Sequence, residues 1–232
     1  MVKLSIAMAH PNVLPPPLVT GQRMDVDEFI RRWDALPDLK DAELIDGVVY
    51  VASPVGRPHG RFDLRFHSWL DEYRNATPGV DAGCNVTFLT VGSAPQPDSY
   101  LCILPEFGGA TQAEGRLPRG APELVAEVCD TSTPHDLGPK LALYQRAGVR
   151  EYITYEVGPQ RLTWRTLGRD GSYHKLRPQP DGSLRSREFP GLWLEPMALI
   201  EDRSLLPMLR KGLRSPDHKA FRALMRSRAP RK

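Results

Sequence analysis

Apolar residues recur at helical spacing in two early stretches of the chain, and they alternate or run on continuously in most of the remainder. Asp25 and Glu28 make a start like a capping box, and Phe29, Ile30, Trp33 and Leu36 follow on one face. This spacing predicts a first amphipathic helix. Apolar runs at 43–45 and 48–51 flank Asp46-Gly47, the strongest short hairpin signal in the chain, and Ser53-Pro54 with Gly56 ends that unit. Phe62, Phe66, Trp69, Leu70 and Tyr73 share a stripe over 59–74 and predict a packing helix. Alternation over 84–91 reads as a strand, and 98–104 reads as a second strand that begins with an acid after Pro97.

The rest is arranged around 121–152. Its run LVAEVC (124–129) is apolar but for Glu127 and therefore reads as a strand covered on both faces. A polar loop, DTSTP, ends it. Asp136 then opens a short helix with Leu137, Leu141 and Tyr144 on one face and Lys140 beside that face, Gly148 caps the helix, and 151–153 starts another strand. Between the two acidic strands, 106–120 is a loop rich in Gly, Pro and charge. Later runs at 161–166, 172–176 and 183–189 suggest an antiparallel extension of the sheet. Beyond Pro196 the chain is helical in character and divided by Pro216. The expected organisation is an extended N-terminal arm (1–23), one domain (24–200) and a basic helical tail (201–232).

Composition narrows the function classes. The 232 residues, 41% of them hydrophobic, are enough for one domain with a sizeable core. The net charge of +3 conceals an asymmetry, because residues 201–232 carry ten Lys or Arg against three Asp or Glu. The domain is slightly acidic, so overall charge gives no argument for nucleic-acid binding. The tail has three readings: a solvated helix face, a phosphate contact or a partner-docking segment. Cys84, Cys102 and Cys129 are odd in number, lack CxxC spacing and fall in apparent strands, which reads as buried free thiols of a reduced cytosol with no zinc site. No run is long enough for a membrane span, and no P-loop or dinucleotide fingerprint is present. A cytoplasmic protein without a membrane partner is the expectation.

Candidate chemistry starts from Glu127, since a carboxylate in a buried strand costs on the order of several kcal/mol unless a cation or hydrogen bonds hold it. Asp98 at the start of one strand, Glu127 in another and Lys140 on a flanking helix form a set that can share a hard divalent cation and steady charge on a water or phosphate oxygen. Plainer readings stand beside this one. Asp98 also suits a turn, Glu127 a structural ion pair, and Lys140 a pair with Asp136 four residues earlier. Glu43 also suits a solvent-facing strand position, His59 a local hydrogen bond near a helix start, and His135 a cover for the loop.

These residues carry a resemblance. Pro97-Asp98, Glu127 with Val128 and Cys129, Asp136, Lys140 and the phrase YQRAGVREY (144–152) resemble the PD-(D/E)XK nuclease superfamily, and more narrowly its Uma-type branch of restriction-like endonucleases. ELIDG (43–47), Ser53-Pro54, His59 and FPGL (189–192) add to it, over about 24–200. The resemblance implies an α/β fold with a restriction endonuclease-like mixed central sheet, flanking helices and an antiparallel extension. It implies a metal-dependent endonuclease acting on nucleic acid, DNA in the first instance, with Asp98 and Glu127 as ligands of Mg²⁺ or Mn²⁺. Lys140 is then the charge stabiliser, Glu43 a further acid, Asp136 and His59 accessory groups, and a homodimer the expected assembly. One departure stands out: the lysine usual two residues after the strand glutamate is Cys129 here, and Lys140 takes its role. That departure is the best argument for the alternative, a nuclease-fold protein that no longer cuts and binds nucleic acid or a protein.

Overall fold

The Asp25 side chain accepts from the Glu28 backbone N–H at 2.8 Å, and helix α1 (Val26–Asp34) begins there, as the capping pattern predicts. The structure is a computed structural model and describes residues 15–39, 41–112 and 115–230. Strands β1 (Ala42–Ile45) and β2 (Val48–Val51) form the expected hairpin. Asp46 and Gly47 both take positive φ, 51° and 72°, as a turn matched to strand twist requires. Of the arm expected over 1–23, residues 1–14 lie outside the described residues. Further on, Leu18 is buried and the Gly21 N–H donates to the Val49 carbonyl of the hairpin at 2.9 Å.

Helix α2 (Arg57–Ala76) buries Phe66, Trp69, Leu70 and Tyr73, the predicted stripe. Strand β3 (Val80–Gly83) comes next, where the sequence pattern suggested a strand over 84–91 instead. That segment is a loop. Asn85 takes a left-handed φ of 51°, and the N–H groups of Asn85, Phe88 and Leu89 donate to the carbonyls of Pro97, Pro95 and Pro118. Prolines have no N–H to return, so no ladder forms. Cys84 is consequently exposed, against the expectation that all three cysteines are buried; Cys102 and Cys129 are.

Strands β4 (Ser99–Ile103) and β5 (Leu124–Cys129) are buried throughout. After β5 the helix starts at Thr133, earlier than expected, as a single turn, α3 (Thr133–His135). It widens into a π-helical turn over Asp136–Lys140, which contains Pro139, and continues as α4 (Leu141–Ala147). Proline inside a helix removes a donor, and such widened turns recur at functional sites. The buried stripe here is Asp136, Lys140 and Tyr144, while Leu137 and Leu141 are only half-buried. Gly148 caps α4 with φ 82°.

Strands β6 (Glu151–Glu156), β7 (Arg161–Leu167) and β8 (Tyr173–Lys175) complete a six-stranded sheet in the order β3-β4-β5-β6-β7-β8. The β5–β6 pair is parallel and the others antiparallel, so the sheet is mixed, and β7 and β8 are the expected extension. The run at 183–189 does not join it. Its two-residue strand β9 (Leu184–Arg185) pairs with β10 (Trp193–Leu194) in a separate sheet. Helices α5 (Pro196–Ile200), α6 (Leu206–Leu213) and α7 (Pro216–Arg228) complete the chain, with Pro216 opening α7.

Alternation along β5 divides the core. Leu124, Ala126 and Val128 pack with the α2 residues Phe66, Trp69 and Leu70 and with Leu209, Phe221 and Met225 of the last two helices. On the other face Val125 packs with Tyr144 and Tyr152, so Glu127 points toward α4. No helix among the described residues is long and apolar enough to cross a membrane.

Two features of this packing have measurable consequences. Gly212 in α6 sits so close to the β9–β10 connection that a Cβ there would lie 2.2 Å from the Gly191 carbonyl oxygen and 2.8 Å from Trp193. Gly212→Ala is expected to destabilise the fold by about 1–3 kcal/mol in chemical unfolding. The second is Glu151 in β6, buried with no ion pair to any described residue and accepting from the Ser186 hydroxyl at 2.7 Å, the Arg187 N–H at 2.7 Å and the Glu188 N–H at 3.3 Å. Burial pushes its carboxyl up from 4.5 to about 7. Between those values the folded chain holds a proton that the unfolded chain has lost, so stability falls as pH rises from about 4.5 to about 7. Glu151→Gln is expected to flatten this fall, worth on the order of 3 kcal/mol, in unfolding curves recorded across that range.

Candidate active site

The β4–β5 ladder ends at the Ser99–Ala126 pair, and side chains take over one residue further on. The Asp98 N–H donates to Glu127 Oε2 at 3.2 Å, and the Val128 N–H donates to Asp98 Oδ2 at 2.7 Å. Each carboxylate thus braces the other strand's backbone. The second Glu127 oxygen, Oε1, accepts from Lys140 Nζ at 2.7 Å and from the Tyr144 hydroxyl at 3.0 Å. Lys140 and Tyr144 reach it because they stand four residues apart on the buried stripe of the helix.

Lys140 Nζ also lies 3.1 Å from Glu43 Oε1 and 3.9 Å from Asp136 Oδ1. Glu43 comes from β1, and the hairpin is tied to the domain by two bonds between Leu44 and Ala94. Its Oε1 accepts from the Gln96 N–H at 2.6 Å, two residues before Asp98. Asp136 is steadied by the Ser132 hydroxyl at 2.5 Å. His59, in the first turn of α2, places Nε2 3.6 Å from Asp98 Oδ2. Glu43, His59, Asp98, Glu127, Asp136 and Lys140 therefore all line one cleft of about 340 Å³.

Tyr144, Asp63 and His67 had no separate signal in the sequence. Tyr144 reads there as an apolar helix residue, although its position four after Lys140 marks the same stripe. Asp63 and His67, four apart on α2, pair at 2.8 Å, and His67 Nε2 lies 3.0 Å from the Asp98 carbonyl oxygen. His135 packs its ring 4.1 Å from that of Tyr50, with Nε2 3.5 Å from Glu43 Oε2. Cys129 lies on the Glu127 side of β5; burial, with the Asp136 and Glu127 charges, raises its thiol far above the usual range, so it is no stand-in for a lysine.

The electrostatics follow from burial. Lys140 is buried, which opposes its charge, yet Glu127, Glu43, Asp136 and Asp98 hold it as an ammonium well above its ordinary range. Burial raises Glu127 well above its usual value; Lys140 opposes this, and the Asp98, Asp136 and Glu43 charges add to it. Burial likewise raises Asp136. Glu43 is also buried, but Lys140, His135 and the Gln96 N–H hold it low. Asp98 behaves similarly, held low against burial by His59 and Lys140.

A divalent cation suits this donor set in kind. Asp41, Asp63 and Asp130 join Glu43, Asp98, Glu127 and Asp136 around the cleft, so among the described residues seven carboxylates and one lysine line it. A phosphodiester entering such a field needs a positive charge to offset it. Among the described residues no group of three or more His, Cys, Asp or Glu is placed to hold a metal ion. Two carboxylates, with the other positions left to water, carbonyl and phosphate oxygens, match the way Mg²⁺ is bound beside phosphates.

A mixed sheet whose adjacent central strands present an acid pair to a helix lysine belongs to the restriction endonuclease-like nuclease folds. The chain belongs to the Uma2 family, described as "Putative restriction endonuclease", whose pattern it matches over residues 26–198. Its fold is similar to that in the crystal structure of a putative nuclease belonging to DUF820 from Anabaena variabilis. That similarity has a TM-score of 0.57 at 13% identity and covers 82% of this chain and 99% of the other. No curated protein matches the chain.

Removing the lysine tests the buried centre directly. Lys140→Met leaves Glu43, Glu127 and Asp136 without their cation and is expected to cost about 3–5 kcal/mol near pH 8. Without the ammonium, burial raises these acids, so the folded chain keeps protons that the unfolded chain loses above about pH 4.5. The loss is expected to shrink on acidification to about pH 5, read from unfolding at the two pH values.

Proposed function

We propose that the protein is a metal-dependent endonuclease that hydrolyses phosphodiester bonds in DNA. The observation that supports this most is the mutual bracing of Asp98 and Glu127, with a buried ammonium 2.7 Å from Glu127, at the wall of an acidic cleft. Asp98 and Glu127, with a backbone carbonyl near Val128, would hold Mg²⁺ or Mn²⁺. When bound, such an ion polarises the scissile phosphate and lowers the pKa of an attacking water.

The chain's own residues do the rest. Lys140 stays protonated, so it serves as a fixed positive charge for oxygen charge that develops on the phosphate, and it is no proton acceptor. Glu43, from the hairpin, and Asp136, from the same helical turn as Lys140, hold that ammonium in place. His59, half-buried at the cleft, faces Asp98 and orients its carboxylate; that pairing in turn raises the imidazole above its ordinary value and favours its protonated form, so it serves as a partner of the carboxylate. A cytoplasmic location and a homodimer belong to the same proposal.

Asp98→Asn is the better catalytic probe than a lysine variant, because it removes charge without stripping the buried centre of its cation. It is expected to lower cleavage by at least about 10²–10³-fold while leaving unfolding midpoints near those of the parent. The assay sets both chains against single-stranded, duplex and supercoiled DNA and RNA with Mg²⁺, Mn²⁺ or EDTA. Cutting that persists in EDTA or in the variant would exclude the mechanism. Binding to DNA with no cutting on any substrate would favour the non-cutting alternative, in which Cys129 marks a lost site.

A further inference from the structure

The catalytic cleft is acidic, and the basic surplus of the chain lies at the other end of the molecule. Helix α7 docks through His218, Phe221 and Met225, with the His218 ring 5.6 Å from that of Tyr73 near the C-terminal end of α2. His59 of the cleft stands in the first turn of the same helix. Fourteen residues separate it from Tyr73, or about 21 Å at 1.5 Å per residue. Helices α6 and α7 also lie beyond residue 198, where the family match ends.

The basic side chains there fall into two groups. Arg203, Arg210 and Lys211 are neutralised by Glu195 and Glu201, by Glu72 and by Asp181, and Arg228 donates to the Phe107 carbonyl. Arg214, Lys219 and Arg226 are exposed and form no ion pair with any described residue. The exposed Lys219 and Arg226, with the half-buried Arg222 between them, are spaced at i, i+3 and i+7, one stripe beside the docked face of α7. An exposed helix face whose cations lack carboxylate partners, on a domain that is otherwise net negative, suits an external polyanion.

We infer that this stripe, with Arg214 at the end of α6, is a second contact for duplex DNA that grips backbone phosphates about six base pairs from the bond being cut, at about 3.4 Å per pair. The inference rests on the nuclease reading above and assigns to the tail the electrostatic grip that the acidic cleft lacks. Its contacts are to phosphate and carry no base preference.

The test uses the full chain and the triple variant R214Q/K219Q/R226Q. In an Asp98→Asn background, fluorescence anisotropy with a duplex of about 30 base pairs is expected to show at least tenfold weaker binding for the triple variant, with the slope of log K against log salt shallower by about 2.7. In the catalytic background, the triple variant is expected to raise KM on the long duplex without changing kcat. It is expected to leave a duplex of about 8 base pairs, too short to span cleft and tail once the cut site is centred, unaffected. Equal affinity and equal salt slope in the two chains would overturn the inference, as would an equal rise of KM on both lengths. Should no substrate be cut, the nuclease reading fails on its own and the anisotropy measurement still decides the tail.

Discussion

One buried ammonium organises the functional end of this protein. Lys140 is almost fully enclosed, and its three nearest carboxylates come from the hairpin, from the central strand and from its own helix. An uncompensated charge in such a place costs several kcal/mol, on the order of what a whole domain has to spare. The hairpin must therefore close on the sheet, and the helix must present its polar stripe inward. The π-helical turn that contains Pro139 lies just where this stripe is set.

The same arrangement accounts for Cys129. In the pattern that the chain resembles, the strand itself supplies the lysine two residues after the glutamate. Here the ammonium approaches Glu127 from the facing helix, and the strand position needs only a small group that packs, which a buried thiol provides. The ammonium lies 2.7 Å from Glu127, and here a helix sets that distance. Charge compensation then depends on how α4 packs on the sheet through Tyr144 and Tyr152, whose rings are 5.2 Å apart.

At the scale of the molecule, negative and positive charge are separated along α2. Acids gather at its N-terminal end and unpaired bases at its C-terminal end. A substrate carrying a charge on every phosphate meets both, and the two ends ask different things of it. In the proposed reading the cleft would offer oxygen ligands and one fixed cation for chemistry at a single phosphate, and the tail long, solvated cations for attraction over many.

Much of this was legible in the residues alone. The capping pair Asp25 and Glu28, the Asp46-Gly47 turn, the α2 stripe and the apolar run broken by Glu127 are local signals, because capping, turn conformation and face burial act over a few residues. They determined the main elements, the mixed α/β class and the acid–acid–lysine set. The strand over 84–91 failed because its N–H groups meet proline carbonyls whose residues have no N–H to return, and 183–189 left the main sheet because pairing register is a matter of three dimensions. The inward turn of Asp136 and Lys140 in place of Leu137 and Leu141 also escaped the pattern, which assigns polar residues to water unless a buried counter-charge awaits them. Only the tertiary structure brought Glu43, His59 and Lys140 to one cleft and docked the basic helix against the opposite end of α2, since such placements depend on which faces pack and no spacing along a chain records that.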